Sequence, residues 1–179
     1  MSFINAKTVT MGLLNRSPNN INREIYMQIS ELISSDHIIT NLRANSKQDA
    51  LAELAEVLVR KNKTLEKETV LSILLEREKL GSTGIGDGVA IPHGKLKGLD
   101  RVIISLGRSL SGVPFDSVDG KPVQLLFLLL APEESAGLYL RILAKLSRFL
   151  KNPVSKEKLL GAKSAEEMAE IIKSESEEF

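Results

Sequence analysis

His93 stands near the end of the run GSTGIGDGVAIPHG, residues 81 to 94, directly after Pro92. A neutral imidazole is available near pH 7 because its unperturbed pKa is about 6.5. One ring nitrogen can attack phosphorus while the other donates to a backbone carbonyl that fixes the tautomer. A phosphoryl group received there needs donors for its spread negative charge rather than an acid. Backbone amides of the turn around Gly84, the Ser82 and Thr83 hydroxyls and the Arg77 guanidinium are residues of that kind. Five glycines in fourteen positions are too dense for an ordinary connection and suit close backbone approach to a ligand. Pro92 has a fixed φ and pushes Ile91 toward extended geometry, so His93 is mounted on a stiff segment.

Other chemistries fit this run less well. No Gly-Lys-Ser/Thr follows the glycines, as a Walker loop requires. A dinucleotide fingerprint needs Gly where Val89 stands, and it needs a helix about to begin rather than one just ended. Metal binding needs several converging ligands, whereas this chain has two histidines, His37 and His93, and no cysteine. A histidine merely satisfied by a neighbour would leave the glycines, the proline and the arginine unexplained. His37 lies outside the run and is read as structural.

With 179 residues the chain can bury the core of one domain. Its 24 Lys and Arg against 23 Asp and Glu give no basic field for nucleic acid. The absence of cysteine suits a reducing compartment. No apolar run approaches the roughly 18 residues of a membrane span, and no basic-then-apolar leader opens the chain. The expectation is a cytoplasmic protein without membrane insertion, metal or other cofactor.

The elements that hold these residues are legible in outline. Residues 1–26, with the breaker cluster SPNNIN, read as a loosely ordered extension; residues 27–173 form the domain, and residues 174–179 a solvated acidic tail. HIITNL (37–42) suits a strand. Ser46 and Asp49 make a capping box for a helix that buries Leu51, Leu54, Ala55 and Leu58. A second helix from about Glu66 buries Val70, Ile73 and Leu74, and Gly81 ends it. Arg77 is seven residues after Val70, in phase with that stripe, so it leans toward the glycine run while Glu76 and Glu78 turn away. A basic residue at a helix C-terminus also simply complements the dipole.

Strands follow at 89–91 and 102–106, and VQLLFLLL (123–130) is the unbroken apolar run of a strand covered on both faces. Helix 134–151 supplies one cover through Tyr139, Ile142, Leu143, Leu146, Phe149 and Leu150. Two short helices follow, the second opened by the Ser164–Glu167 capping box. The predicted fold is α/β: a single domain with a mixed parallel and antiparallel sheet of about five strands, flanked by helices on both faces.

LLEREKLGSTGIGDGVAIPHG, together with FDSVDGKPVQLLFLLLAPEES, closely resembles the mannitol/fructose/nitrogen type IIA domain of the bacterial phosphotransferase system, over about residues 29 to 172. Read as a domain standing alone, without an attached sugar permease or HPr-like domain, it is expected to be most like the nitrogen regulatory members. The resemblance implies a phosphocarrier in which His93 takes a phosphoryl group on Nε2 from an HPr-like protein and Arg77 is the active-site arginine. Its phosphorylation state would then regulate a transporter or a kinase. A sugar-specific IIA feeding a separate permease, and a docking-only regulator, are the alternatives. Ile85, Val89 and Leu96 are candidates for the apolar rim on which a donor docks.

Two positions depart from the family pattern. Tyr139 stands where a second active-site histidine is usual; tyrosine can still donate a hydrogen bond to a phosphoryl oxygen but carries no positive charge near neutral pH. Asp87 replaces a common Asn. It opposes phosphorylation if it faces the site and is harmless if it serves the turn.

Overall fold

In a computed structural model, residues 29–176 are described; the predicted N-terminal extension lies outside them. Strand β6 (Val123–Pro132) is the middle strand of the sheet. From Leu125 to Ala131 its successive residues enter opposite cores. Leu125, Phe127, Leu129 and Ala131 pack on one face, and Val123, Leu126, Leu128 and Leu130 on the other. This double burial explains the continuous apolar run, since a strand with one wet face would alternate.

The remaining strands are β1 (Ile38–Ile39), β2 (Gly84–Gly86), β3 (Val89–Ala90), β4 (His93–Leu96) and β5 (Ile103–Val113). Their order is β1-β5-β6-β3-β2, with β4 also on β6 as a sixth strand. The sheet is mixed: β1 runs parallel to β5, β5 antiparallel to β6, β3 and β4 parallel to β6, and β2 antiparallel to β3.

Five α-helices cover the sheet among the described residues: α1 (Lys47–Lys61), α2 (Lys67–Lys79), α3 (Ala136–Lys151), α4 (Pro153–Gly161) and α5 (Ala165–Ser176). The first two bury Leu51, Leu54, Leu58, Val70 and Leu74 on one face. The last three bury Ile142, Leu146, Phe149, Leu159, Met168 and Ile172 on the other. Ser46 caps α1 by accepting from the Asp49 amide at 3.1 Å. Ser164 accepts from the Glu167 amide at 3.2 Å, while the Glu167 carboxylate accepts from the Lys163 amide.

Arg108, buried on β5, ties the last helices to the sheet. Its Nε–H donates to the Thr40 carbonyl, and its Nη1 donates to the carbonyls of Leu159, Leu160 and Ala162 at the end of α4. Helix C-termini leave such carbonyls without partners, and a cation is the favoured group there.

Strands β2 and β4 add to the expected set, β5 runs past residue 106 to Val113, and two further segments depart from expectation. HIITNL contributes only Ile38 and Ile39 to the sheet, because Ser35–His37 is a 3-10 turn and Leu42 has moved off the strand to pack over Gly107. The acidic stretch from Ser174 begins as helix, with Glu175 accepting from Ser155 and Lys158.

Candidate functional site

Pro92 divides what is otherwise one strand alongside β6. Its carbonyl accepts from the Leu129 amide at 2.9 Å, so the pairing continues through it from β3 to β4. His93 opens β4 in register with Leu129, on the sheet face that α3 covers. Its Nδ1 lies 2.6 Å from the Ile91 carbonyl. A carbonyl can only accept, so Nδ1 carries the proton and Nε2 the lone pair. Burial, the largest influence, holds the imidazole below the ordinary histidine range. The Arg77 charge acts in the same direction, while the Ile91 carbonyl and the Glu78 carboxylate pull the other way. The result is a neutral ring with one nitrogen oriented as a nucleophile.

Arg77 comes from the last turn of α2, as its phase predicts. Its Nε–H donates to His93 Nε2 at 3.0 Å, and its Nη1 donates to the Gly81 carbonyl at 2.9 Å. Tyr139 of α3 approaches from the opposite helical layer, its ring edge-on to the imidazole with centroids 5.6 Å apart. Lys95 Nζ sits 5.4 Å from the centre of the Tyr139 ring. The site therefore gathers α2, β4 and α3 around one imidazole.

The glycine run is laced to residues 115–119. The Ser82 hydroxyl donates to the Phe115 carbonyl and accepts from the Gly84 amide. The Gly84 carbonyl accepts from the Val118 amide, and the Gly86 amide donates to the Ser117 hydroxyl. A Cβ on Gly84 would lie 2.9 Å from the Ser117 Cα, so only glycine permits this approach. Asp87 and Gly88 both have positive φ at the tip of the β2–β3 hairpin, as in a type I′ turn. Asp87 thus occupies a turn position that Asp and Asn both tolerate.

Glu78 is the residue that sequence reasoning missed. Expected to turn away, it has a side chain only 6% exposed. Its carboxylate accepts from both the amide and the hydroxyl of Thr83 and from Lys47 Nζ. Both Thr83 donors are therefore occupied within the protein. Helical phase points Glu78 outward from its own helix, but the chain folds back after Gly81 and covers it.

The expected docking rim is also corrected. Val89 and Leu96 are 1% and 7% exposed, because each registers against β6, with Leu125 and Pro132 respectively. Ile85 is half-buried. The exposed apolar side chains nearby are Leu80, three residues beyond Arg77, Leu140, next to Tyr139, and Val118, which lies over Gly86. Among the described residues no group of three or more His, Asp or Glu could hold a metal, and no helix is long and apolar enough to cross a membrane.

Comparison with known proteins bears on the family and the fold. Residues 31–175 match the family model for the phosphoenolpyruvate-dependent sugar phosphotransferase system, EIIA 2. A nitrogen regulatory protein of Bradyrhizobium diazoefficiens is 39% identical over 146 residues, which are 82% of this chain and 95% of that protein. The fructose-specific EIIABC component of Bacillus subtilis is 34% identical over 82% of this chain but only 23% of its own length. The crystal structure of the nitrogen regulatory protein IIA-Ntr from Neisseria meningitidis superposes with a TM-score of 0.76 at 39% identity, covering 80% of this chain and 98% of that one. The chain belongs to the EIIA type 2 family of the phosphotransferase system, and its relatives include nitrogen regulatory proteins of IIA-Ntr type.

Proposed function

We propose that this protein is a cytoplasmic phosphocarrier of the nitrogen-regulatory type, taking a phosphoryl group from an HPr-like protein onto His93 Nε2 and regulating a transporter or kinase according to its phosphorylation state. The observation that carries this reading is the imidazole itself: Nδ1–H is held by the Ile91 carbonyl, so the lone pair of Nε2 faces Arg77. In the transfer, Nε2 bonds to phosphorus as the donor's bond to phosphorus breaks, and that electron pair leaves on the donor atom. The ring becomes an imidazolium whose remaining N–H stays on the Ile91 carbonyl. Arg77 must release Nε2 for the attack, and its donors pass to the phosphoryl oxygens.

Gly84, Ser82 and Thr83 form the wall of the cradle in this reading. A phosphoryl oxygen reaches the Thr83 donors only by displacing Glu78. Tyr139 covers the imidazole edge. The exposed Leu80, Val118 and Leu140 supply the apolar rim for the donor.

The test is incubation with an HPr-like donor charged from phosphoenolpyruvate. An acid-labile, base-stable adduct should form on wild type and be absent from His93→Ala; equal labelling of the variant rules out the site. The fructose-specific relative favours a second reading, a sugar-specific IIA serving a separate permease. Onward transfer from the labelled protein to a fructose-type IIB domain would support that reading, and retention of the label in its presence would support the regulator.

A further inference from the structure

We propose that Glu78 is a positioning residue of the phosphoryl-transfer site: it fixes Thr83, and with it the 82–84 backbone, against the end of α2 that carries Arg77, and Lys47 anchors it from α1. The inference rests on the reading of His93 as the phosphoryl acceptor. Arg77 and Glu78 are adjacent at the end of α2, where successive side chains diverge by about 100°. One reaches the imidazole and the other reaches the loop, so a single helical turn sets both sides of the cradle.

The bonds made by Glu78 are specific. Oε1 accepts from the Thr83 amide at 3.1 Å and from its hydroxyl, and Oε2 accepts from Lys47 Nζ at 3.2 Å. A carboxylate this buried persists only when paired and hydrogen-bonded. Lys47 in turn bonds Asp116 at 2.9 Å and lies 5.0 Å from the centre of the Phe115 ring. The Ser82 hydroxyl donates to the Phe115 carbonyl, so the loop is tied on both sides of Thr83 to the same segment. An unpaired negative charge here would repel a phosphoryl group. Lys47 offsets it, which leaves the placing of Thr83 as the contribution of Glu78.

The charged and titratable groups around the imidazole are Arg77 and Glu78 of α2 and Tyr139 of α3, with Lys95 of β4 over the tyrosine. Glu78→Gln keeps the shape and removes the charge; Lys47→Met removes the anchor without touching α2. In both, circular dichroism should remain that of wild type. Initial labelling by the HPr-like donor should slow between about 10- and 100-fold, the effect of a small misplacement of reacting groups. The Thr83 amide should exchange faster with solvent, and in Glu78→Gln the NMR titration midpoint of His93 should fall because a negative neighbour is gone. That shift reports only the lost charge; a role confined to folding would instead alter the circular dichroism and leave Thr83 exchange in the folded protein as in wild type. A wild type that fails to label overturns the His93 reading and this inference with it. A wild type that labels beside variants that label within about twofold of it, with Thr83 exchange unchanged, overturns this inference alone.

Discussion

Arg77 Nε and His93 Nε2 are 3.0 Å apart, so the nitrogen that holds the lone pair is the one the guanidinium covers. In the proposed transfer the arginine would leave Nε2 and turn to the charge that arrives. Arg77→Gln should lower labelling by about 100- to 1000-fold, the usual loss when a donor to developing charge is removed. It should also raise the His93 titration midpoint, since the neighbouring cation opposes protonation. Initial-rate labelling and imidazole NMR measure the two effects separately.

Protonation state gives a second prediction. His93 and His37 are both held below the ordinary histidine value, chiefly by burial, and His37 Nδ1 is buried without a hydrogen-bond partner among the described residues. For a histidine whose native pKa is depressed, the unfolded chain binds the proton first. The contribution to stability is therefore complete above about pH 6.5 and is lost as pH falls from there through the native values. Urea midpoints should be flat above neutrality and decline below about pH 6.5. His37→Gln should shrink that decline. Labelling of His93 should continue below pH 6.5, where an ordinary histidine would already be half protonated.

Tyr139 meets the imidazole by its ring edge, and its hydroxyl makes no hydrogen bond among the described residues. Tyr139→Phe should label within about twofold of wild type, because the edge contact survives. Tyr139→His should label faster, since an imidazole there can place positive charge against the phosphoryl group. A wild type that labels poorly and a Tyr139→His that labels well would favour the docking-only reading of the natural protein.

The apolar rim can be tested without disturbing the chemistry. Leu80→Glu and Val118→Glu alter exposed side chains, so unfolding free energies should stay within about 0.5 kcal/mol of wild type. The donor concentration for half-maximal labelling should rise about tenfold, corresponding to the loss of a contact worth over 1 kcal/mol. Titrations with the HPr-like donor at fixed protein decide it.

The parts of this molecule legible in its sequence were those set by local pattern. The all-apolar β6 declared two covered faces, and the phase from Val70 to Arg77 aimed a cation at the segment that ends in His93. What stayed hidden depends on partners distant along the chain. Val89 and Leu96 looked available for docking because nothing near them reveals their register on β6. Glu78 looked solvated because the loop that buries it arrives only after the chain reverses at Gly81. Asp87 could be placed at its turn only once the positive φ of both hairpin-tip residues was seen.

The adjacency of Arg77 and Glu78 also constrains how this chain can change. Substitutions on the wet side of α2 leave their aim intact, but inserting or deleting one residue between Val70 and Arg77 swings the helix end by about 100°. The guanidinium would then leave the imidazole and the carboxylate would leave the loop in the same event. The length of this helix thus fixes the Arg77–His93 and Glu78–Thr83 contacts together, as restrictively as the identity of the residues at its end.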